Sequence, residues 1–63
     1  MPTIFFYGPR LERERKIELI EGFTRTASEV TGIRKEAFVV YLQETAQDQV
    51  GVGGELLEDR QKK

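Results

Sequence analysis

With no histidine and no cysteine in 63 residues, the chain lacks the side chains that most often serve as general base or nucleophile near neutral pH. The same absence removes a disulfide framework and the usual zinc ligand sets. The best remaining candidate for proton transfer is Pro2. A proline in second place lets the aminopeptidase that accepts small second residues remove Met1, and that alone is a sufficient reason for its presence. Removal would also expose a secondary amine at the head of an apolar segment, Thr3-Ile4-Phe5-Phe6-Tyr7. Such an amine offers one rigidly aimed lone pair and can form iminium adducts. Apolar surroundings or neighbouring cations would make it a weaker base, because both disfavour the ammonium form. A base poised near neutrality is what enolisation of a keto acid requires.

Other candidates have plainer explanations. Val50-Gly51-Val52-Gly53-Gly54 is glycine-rich, but a dinucleotide fingerprint needs a third glycine where Leu56 stands. A phosphate-binding loop needs Gly-Lys-Ser/Thr, and here Gly54 is followed by Glu55. A tight turn with positive φ accounts for these glycines. The stretch from Arg10 to Lys16 mixes charges as a solvated helix start does. Arg10 is its best-placed residue for holding an anion, and Arg34-Lys35 is a second candidate. Glu44 and Glu55 have the chemistry of an acid–base pair, yet nothing in the sequence brings them together.

The elements that must position these groups are few. Thr3–Tyr7 reads as a strand ended by Gly8-Pro9, and its consecutive apolar residues ask for cover on both faces. From about Arg10 to Thr31 the period changes to that of a helix. Ile17, Ile20, Phe23, Ala27 and Val30 form the expected core stripe, flanked by Leu11 and Leu19. Glu12–Lys16 and Glu21–Arg25 have the favourable i,i+4 order. No clear N-cap is present, whereas Gly32 suits a left-handed C-terminal cap. Ala37–Leu42 reads as a second strand, and a crossover of this length favours parallel pairing. Val50–Gly54 is then a short hairpin or an extended arm. Glu55–Lys63 places acids before bases, as a short helix prefers.

One helix covers only one face of a two-stranded sheet, and a domain of about 60 residues buries only about 60% of its unfolded surface. Both considerations call for an oligomer. Ten Lys and Arg against eleven Asp and Glu leave a net charge of −1, which argues against a nucleic-acid or anionic-membrane partner. No apolar run approaches the ~20 residues that span a bilayer, and no signal pattern opens the chain. The expectation is a soluble, cytoplasmic, single domain over residues 1–63, with Met1 removed.

The start Met1-Pro2-Thr3-Ile4, the long amphipathic helix and Val50-Gly51-Val52-Gly53-Gly54-Glu55-Leu56 together resemble the 4-oxalocrotonate tautomerase family, in particular its small DmpI-type members. The similarity covers essentially the whole chain. It implies an α+β fold: a β-α-β subunit with two parallel strands, one long helix and a short C-terminal hairpin, its sheet completed by oligomerisation. The usual assembly is a hexamer built as a trimer of dimers. It also implies a cofactor- and metal-independent isomerase in which the Pro2 amine takes up and returns a proton. Its substrates are small unsaturated 2-hydroxy or 2-oxo dicarboxylates from aromatic degradation, such as 2-hydroxymuconate.

Carried over residue by residue, the resemblance matches Pro2 directly. Where typical members have an arginine between the first turn and the helix, this chain has Leu11, with Arg10 adjacent as a substitute for binding a substrate carboxylate. The strand arginine corresponds to Val39, and the bulky aromatic before the glycine turn to Val50. A cation from another subunit (Arg13, Arg34 or Lys35) is a further substitute, and Ile4, Phe6, Val50 and Val52 are candidate pocket walls. The alternative is a non-catalytic oligomerising module that kept its pairing surfaces and lost the site.

Overall fold

Exposure alternates along Thr3–Gly8 (β1): Thr3, Phe5 and Tyr7 face outward while Ile4, Phe6 and Gly8 are half-buried. That two-residue period belongs to a strand covered on one side. The computed structural model describes residues 1–61. In chain order β1 is followed by α1 (Arg13–Thr31), β2 (Val39–Glu44), β3 (Gly51–Val52), β4 (Glu55–Leu56) and α2 (Leu57–Gln61). Strands β1 and β2 pair in parallel, with Thr3 opposite Val39 and Gly8 opposite Glu44. Strands β3 and β4 form a small antiparallel hairpin. The β-α-β architecture with its terminal hairpin is as expected, and at the hairpin the extended-arm alternative drops out.

The boundaries shift for local reasons. The helix begins at Arg13, three residues later than its pattern suggested, after an N-cap Glu12 whose side chain makes no capping bond. With no Ser, Thr, Asp or Asn in the preceding loop to collect the free N–H groups, nothing fixes an earlier start. The expected Glu12–Lys16 and Glu21–Arg25 ion pairs do not form; the first turns instead carry Arg15–Glu18 at 3.0 Å. All these side chains are exposed, where such pairs contribute little and long side chains choose among near-equivalent partners. The helix ends at Gly32, which has φ 75° and donates its N–H to the Ser28 carbonyl. The Ser28 hydroxyl donates to the Ile33 carbonyl at 2.6 Å, which turns the chain back toward the sheet. Lys35–Ala37 makes one 3-10 turn, so β2 starts at Val39 instead of Ala37. It runs two residues further than expected, because β1 itself extends to Gly8 and the Gly8 carbonyl accepts from Thr45 N–H at 2.8 Å. Gly53 and Gly54, with φ 60° and 85°, make the β3–β4 turn of the kind that needs positive φ at both central residues. Glu55 and Leu56 are strand, so the tail helix starts at Leu57; the basic end of the tail, Lys62 and Lys63, lies outside the described residues.

The helix covers one sheet face only. Phe23 of α1 meets Phe6 of β1 with ring centroids 5.5 Å apart, and Leu19, Gly22 and Ala27 are half-buried along the same side. The expected stripe is corrected at both ends: Ile17 and Ile20 are exposed and Val30 is 81% exposed. A two-stranded sheet is too narrow to cover a whole helix stripe. On the opposite face Phe5 and Tyr41 stack at 5.2 Å, yet they remain 63% and 55% exposed, and Tyr7 is 70% exposed. Among the described residues none is fully buried. The radius of gyration is 14.9 Å, against about 11 Å for a self-contained domain of this length.

The sheet leaves no room for a side chain at Gly8. A Cβ there would lie 2.6 Å from Cε2 of Phe6, whose ring is in turn held against Phe23. Gly8→Ala is expected to displace the Phe6 ring and cost about 1–3 kcal/mol. Chemical denaturation at fixed protein concentration measures it; unchanged stability would mean that the ring relaxes freely.

Candidate active site

Parallel pairing gathers the starts of both strands at one end of the sheet and their ends at the other. Pro2 stands at the first end. Its carbonyl accepts from Val39 N–H at 3.0 Å, the first rung of the ladder. Pro2 is half-buried, whereas Met1 before it is 88% exposed. Val39 is therefore beside Pro2 through the backbone. Its side chain, paired with Thr3, lies on the open sheet face. Strand alternation continued from Ile4 puts the Pro2 ring on the other face.

Arg10 and Leu11 lie in the loop after β1, at the opposite end. Six residue steps separate Pro2 from Gly8, about 20 Å at the rise of a strand. Leu11 lines a shallow cleft with Phe6, Pro9 and Lys16. Arg10 is exposed, and its guanidinium has no ion-pair or hydrogen-bond partner among the described residues. Val50 is also at this end, fixed by its carbonyl accepting from Leu57 N–H at 2.8 Å. Arg10, Leu11 and Val50 thus share one end of the sheet, while Pro2 and Val39 form a second group at the other. Within one chain the two groups do not meet.

The four candidate pocket walls are likewise divided. Ile4 and Phe6 point toward the helix, Val50 lines the far end, and Val52 is exposed on the hairpin. The alternation of β1 turns Ile4 and Phe6 toward α1, and Phe6 also borders the cleft beside Leu11. The imagined carboxylate pair is also apart in role: Glu55 reaches Arg60 at 3.7 Å, while Glu44 closes β2.

Beside Val50 is a groove of about 610 Å3 whose lining contains no charged side chain. Tyr7, Thr45, Gln47, Gln49, Val50 and Leu57 contribute to it. No motif in the linear sequence marks Thr45, Gln47 and Gln49 as lining residues. Their available signal was three uncharged hydrogen-bonding side chains in five positions directly after a strand. The segment is held in place by backbone bonds: Thr45 N–H to Gly8, and Gln49 N–H to Ala46 at 2.9 Å. Among the described residues no cluster of carboxylates could hold a metal ion, and no helix is long and apolar enough to cross a membrane.

Comparison with known proteins places this geometry. A family profile described as "Tautomerase enzyme" matches residues 2–60. The crystal structure of DmpI from Archaeoglobus fulgidus superposes with a TM-score of 0.86 at 36% identity, over 92% of this chain and 100% of that one. DmpI from Helicobacter pylori gives 0.90 at 29% identity, over 98% of both. TomN, a 4-oxalocrotonate tautomerase homologue in the tomaymycin biosynthetic pathway, gives 0.91 at 27% identity, over 98% of this chain and 97% of that one. A search of curated protein sequences returned no match. Sequence profile and backbone agree over nearly the whole chain, from the proline at the head of β1 to the helix after the hairpin: this protein belongs to the tautomerase family.

Proposed function

We propose that the protein is a cofactor-independent keto–enol tautomerase of small 2-hydroxy and 2-oxo acids, with the Pro2 amine as its acid–base and Arg10 as the cation for the substrate carboxylate. The observation that carries this reading is the state of the amino terminus. Pro2 is locked to β2 through its carbonyl, while Met1 is 88% exposed. Loss of Met1 would therefore free the nitrogen without breaking a rung of the sheet. The lone pair then accepts the enol hydroxyl proton, the O–H electrons close the carbonyl, and the double-bond electrons move to carbon. The same nitrogen returns the proton to that carbon, so no atom is gained or lost. Only the free amine can begin the cycle, so kcat/KM falls as acid converts it to the ammonium. TomN belongs to a biosynthetic pathway, so membership of the family does not by itself assign this chain to aromatic catabolism.

The separation of the two groups gives the assembly a chemical task. For Arg10 to reach a substrate at Pro2, it has to come from another copy. The uncovered stack of Phe5 on Tyr41 supplies a surface for copies to join, and a hexamer is the proposed form. A head-to-tail contact of this kind makes each site a composite of two chains. Leu11 and Val50 then serve as apolar walls beside Arg10, while Val39 adjoins Pro2 through the backbone and its side chain lies on the opposite sheet face.

Intact mass is expected to show the chain without Met1, and Pro2→Ala is expected to abolish ketonisation of a 2-hydroxy acid. Retained Met1, or a rate indifferent to Pro2→Ala, would instead favour a non-catalytic module, a reading that Leu11 and Val39 support. Arg10→Ala should lower kcat/KM by tenfold or more, since a charged hydrogen bond contributes about 1.5–3 kcal/mol. Arg13→Ala, Arg34→Ala and Lys35→Ala in parallel identify any cation that substitutes for it.

Shared sites have a further signature. Pro2→Ala and Arg10→Ala chains, dissociated and reassembled together in equal amounts, should recover activity in about a quarter of sites. An activity equal to the mean of the two parents would mean that Pro2 and Arg10 do not work across chains.

A further inference from the structure

The charge a substrate carries can be read from the surfaces that would receive it. The groove beside Val50 holds about 610 Å3 and has no charged lining. Its polar groups are the Tyr7 phenol, the Thr45 hydroxyl and the Gln47 and Gln49 amides, all of which satisfy neutral carbonyl or hydroxyl groups. Leu11 and Val39 are apolar, one at each end of the sheet. Arg10 is exposed and unpaired among the described residues, next to Pro9, which itself lines the groove. Lys16 borders the separate cleft beside Leu11 and does not line this groove, so one cation and a neutral trough suit one carboxylate. A second carboxylate would lose hydration in the trough without gaining a countercharge, and that is costly.

We propose that the site takes a 2-oxo or 2-hydroxy monocarboxylic acid, its single carboxylate at Arg10 and an uncharged, ring-sized tail in the Tyr7–Gln49 groove, in preference to a dicarboxylate. This rests on the acid–base reading of Pro2 and names the substrate class of that site. The volume is within the range of pockets that enclose small molecules. Val50, Leu57 and the Tyr7 ring supply apolar contact, and the two glutamines supply hydrogen bonds for a tail bearing a carbonyl or hydroxyl.

The test compares the enol of phenylpyruvate, with one carboxylate and a neutral ring, against 2-hydroxymuconate, with two carboxylates. Each kcat/KM is divided by the uncatalysed rate of its own substrate. The wild-type protein is expected to favour the aryl monoacid by about tenfold or more, the effect of one charged hydrogen bond withheld from the dicarboxylate. Gln49→Arg, at an exposed position on the groove, and Leu11→Arg should each shift that ratio about tenfold toward the dicarboxylate. Gln49→Arg keeps the comparison informative if Leu11→Arg does not fold. A Pro2-dependent preference of the wild type for the dicarboxylate would overturn this proposal alone, and so would a ratio that neither arginine moves. Rates on both substrates that ignore Pro2→Ala would overturn the acid–base reading and this proposal with it.

Discussion

Parallel pairing of β1 with β2 obliges the chain to return from the end of one strand to the beginning of the next, and α1 is that return. Two consequences follow from this connection. The crossing helix has to lie on one face, so Ile4, Phe6, Val40 and Leu42 are sheltered while Phe5, Tyr7 and Tyr41 are not. The strand starts share one end of the sheet and the strand ends share the other, so Pro2 is beside Val39 while Arg10 is grouped with Leu11 and Val50. Burial and site geometry are therefore two results of one topological choice.

The first consequence leaves the chain without an interior. Two strands and one helix make a single contact layer, with Phe6 against Phe23 near its centre and no fully buried residue among those described. Gly8 has no side chain because the Phe6 ring occupies the space above it. The exposed stack of Phe5 on Tyr41 is a preorganised apolar surface. Covering it with further copies would supply the missing burial, so in the proposed assembly folding stability depends on association.

The second consequence bears on chemistry. A proline amine at one end and a cation at the other, about 20 Å apart along β1, cannot act on one small acid within a single chain. In the proposed composite site, the segment after β2 has more influence on specificity than the strands do. The backbone bonds of Thr45, Gln49 and Val50 hold Thr45, Gln47 and Gln49 beside Tyr7. The strands position the amine, and this segment provides the contacts that distinguish one tail from another.

Much of this was legible in the linear sequence because it depends on local period and local stereochemistry. The change from consecutive apolar residues to helical spacing near Arg10, the stop at Gly32 and the turn at Gly53-Gly54 each follow from the residues on the spot. Pro2 stood out through the chemistry of its nitrogen and the absence of histidine and cysteine. The exposed ends of the helix stripe at Ile17 and Val30 were not legible, because sheet width is a property of pairing and not of the helix. The displaced bounds of β2 were hidden too, being set by hydrogen bonds that the Pro2 and Gly8 carbonyls accept across the sheet. The division of the candidate residues between two ends, and the gathering of Tyr7 with Gln47 and Gln49, required the parallel register. Residue types and their spacing determined the elements and the candidate base; only the tertiary structure decided which side chains share a surface, because neighbours across a sheet are set by strand direction and register and not by distance along the chain.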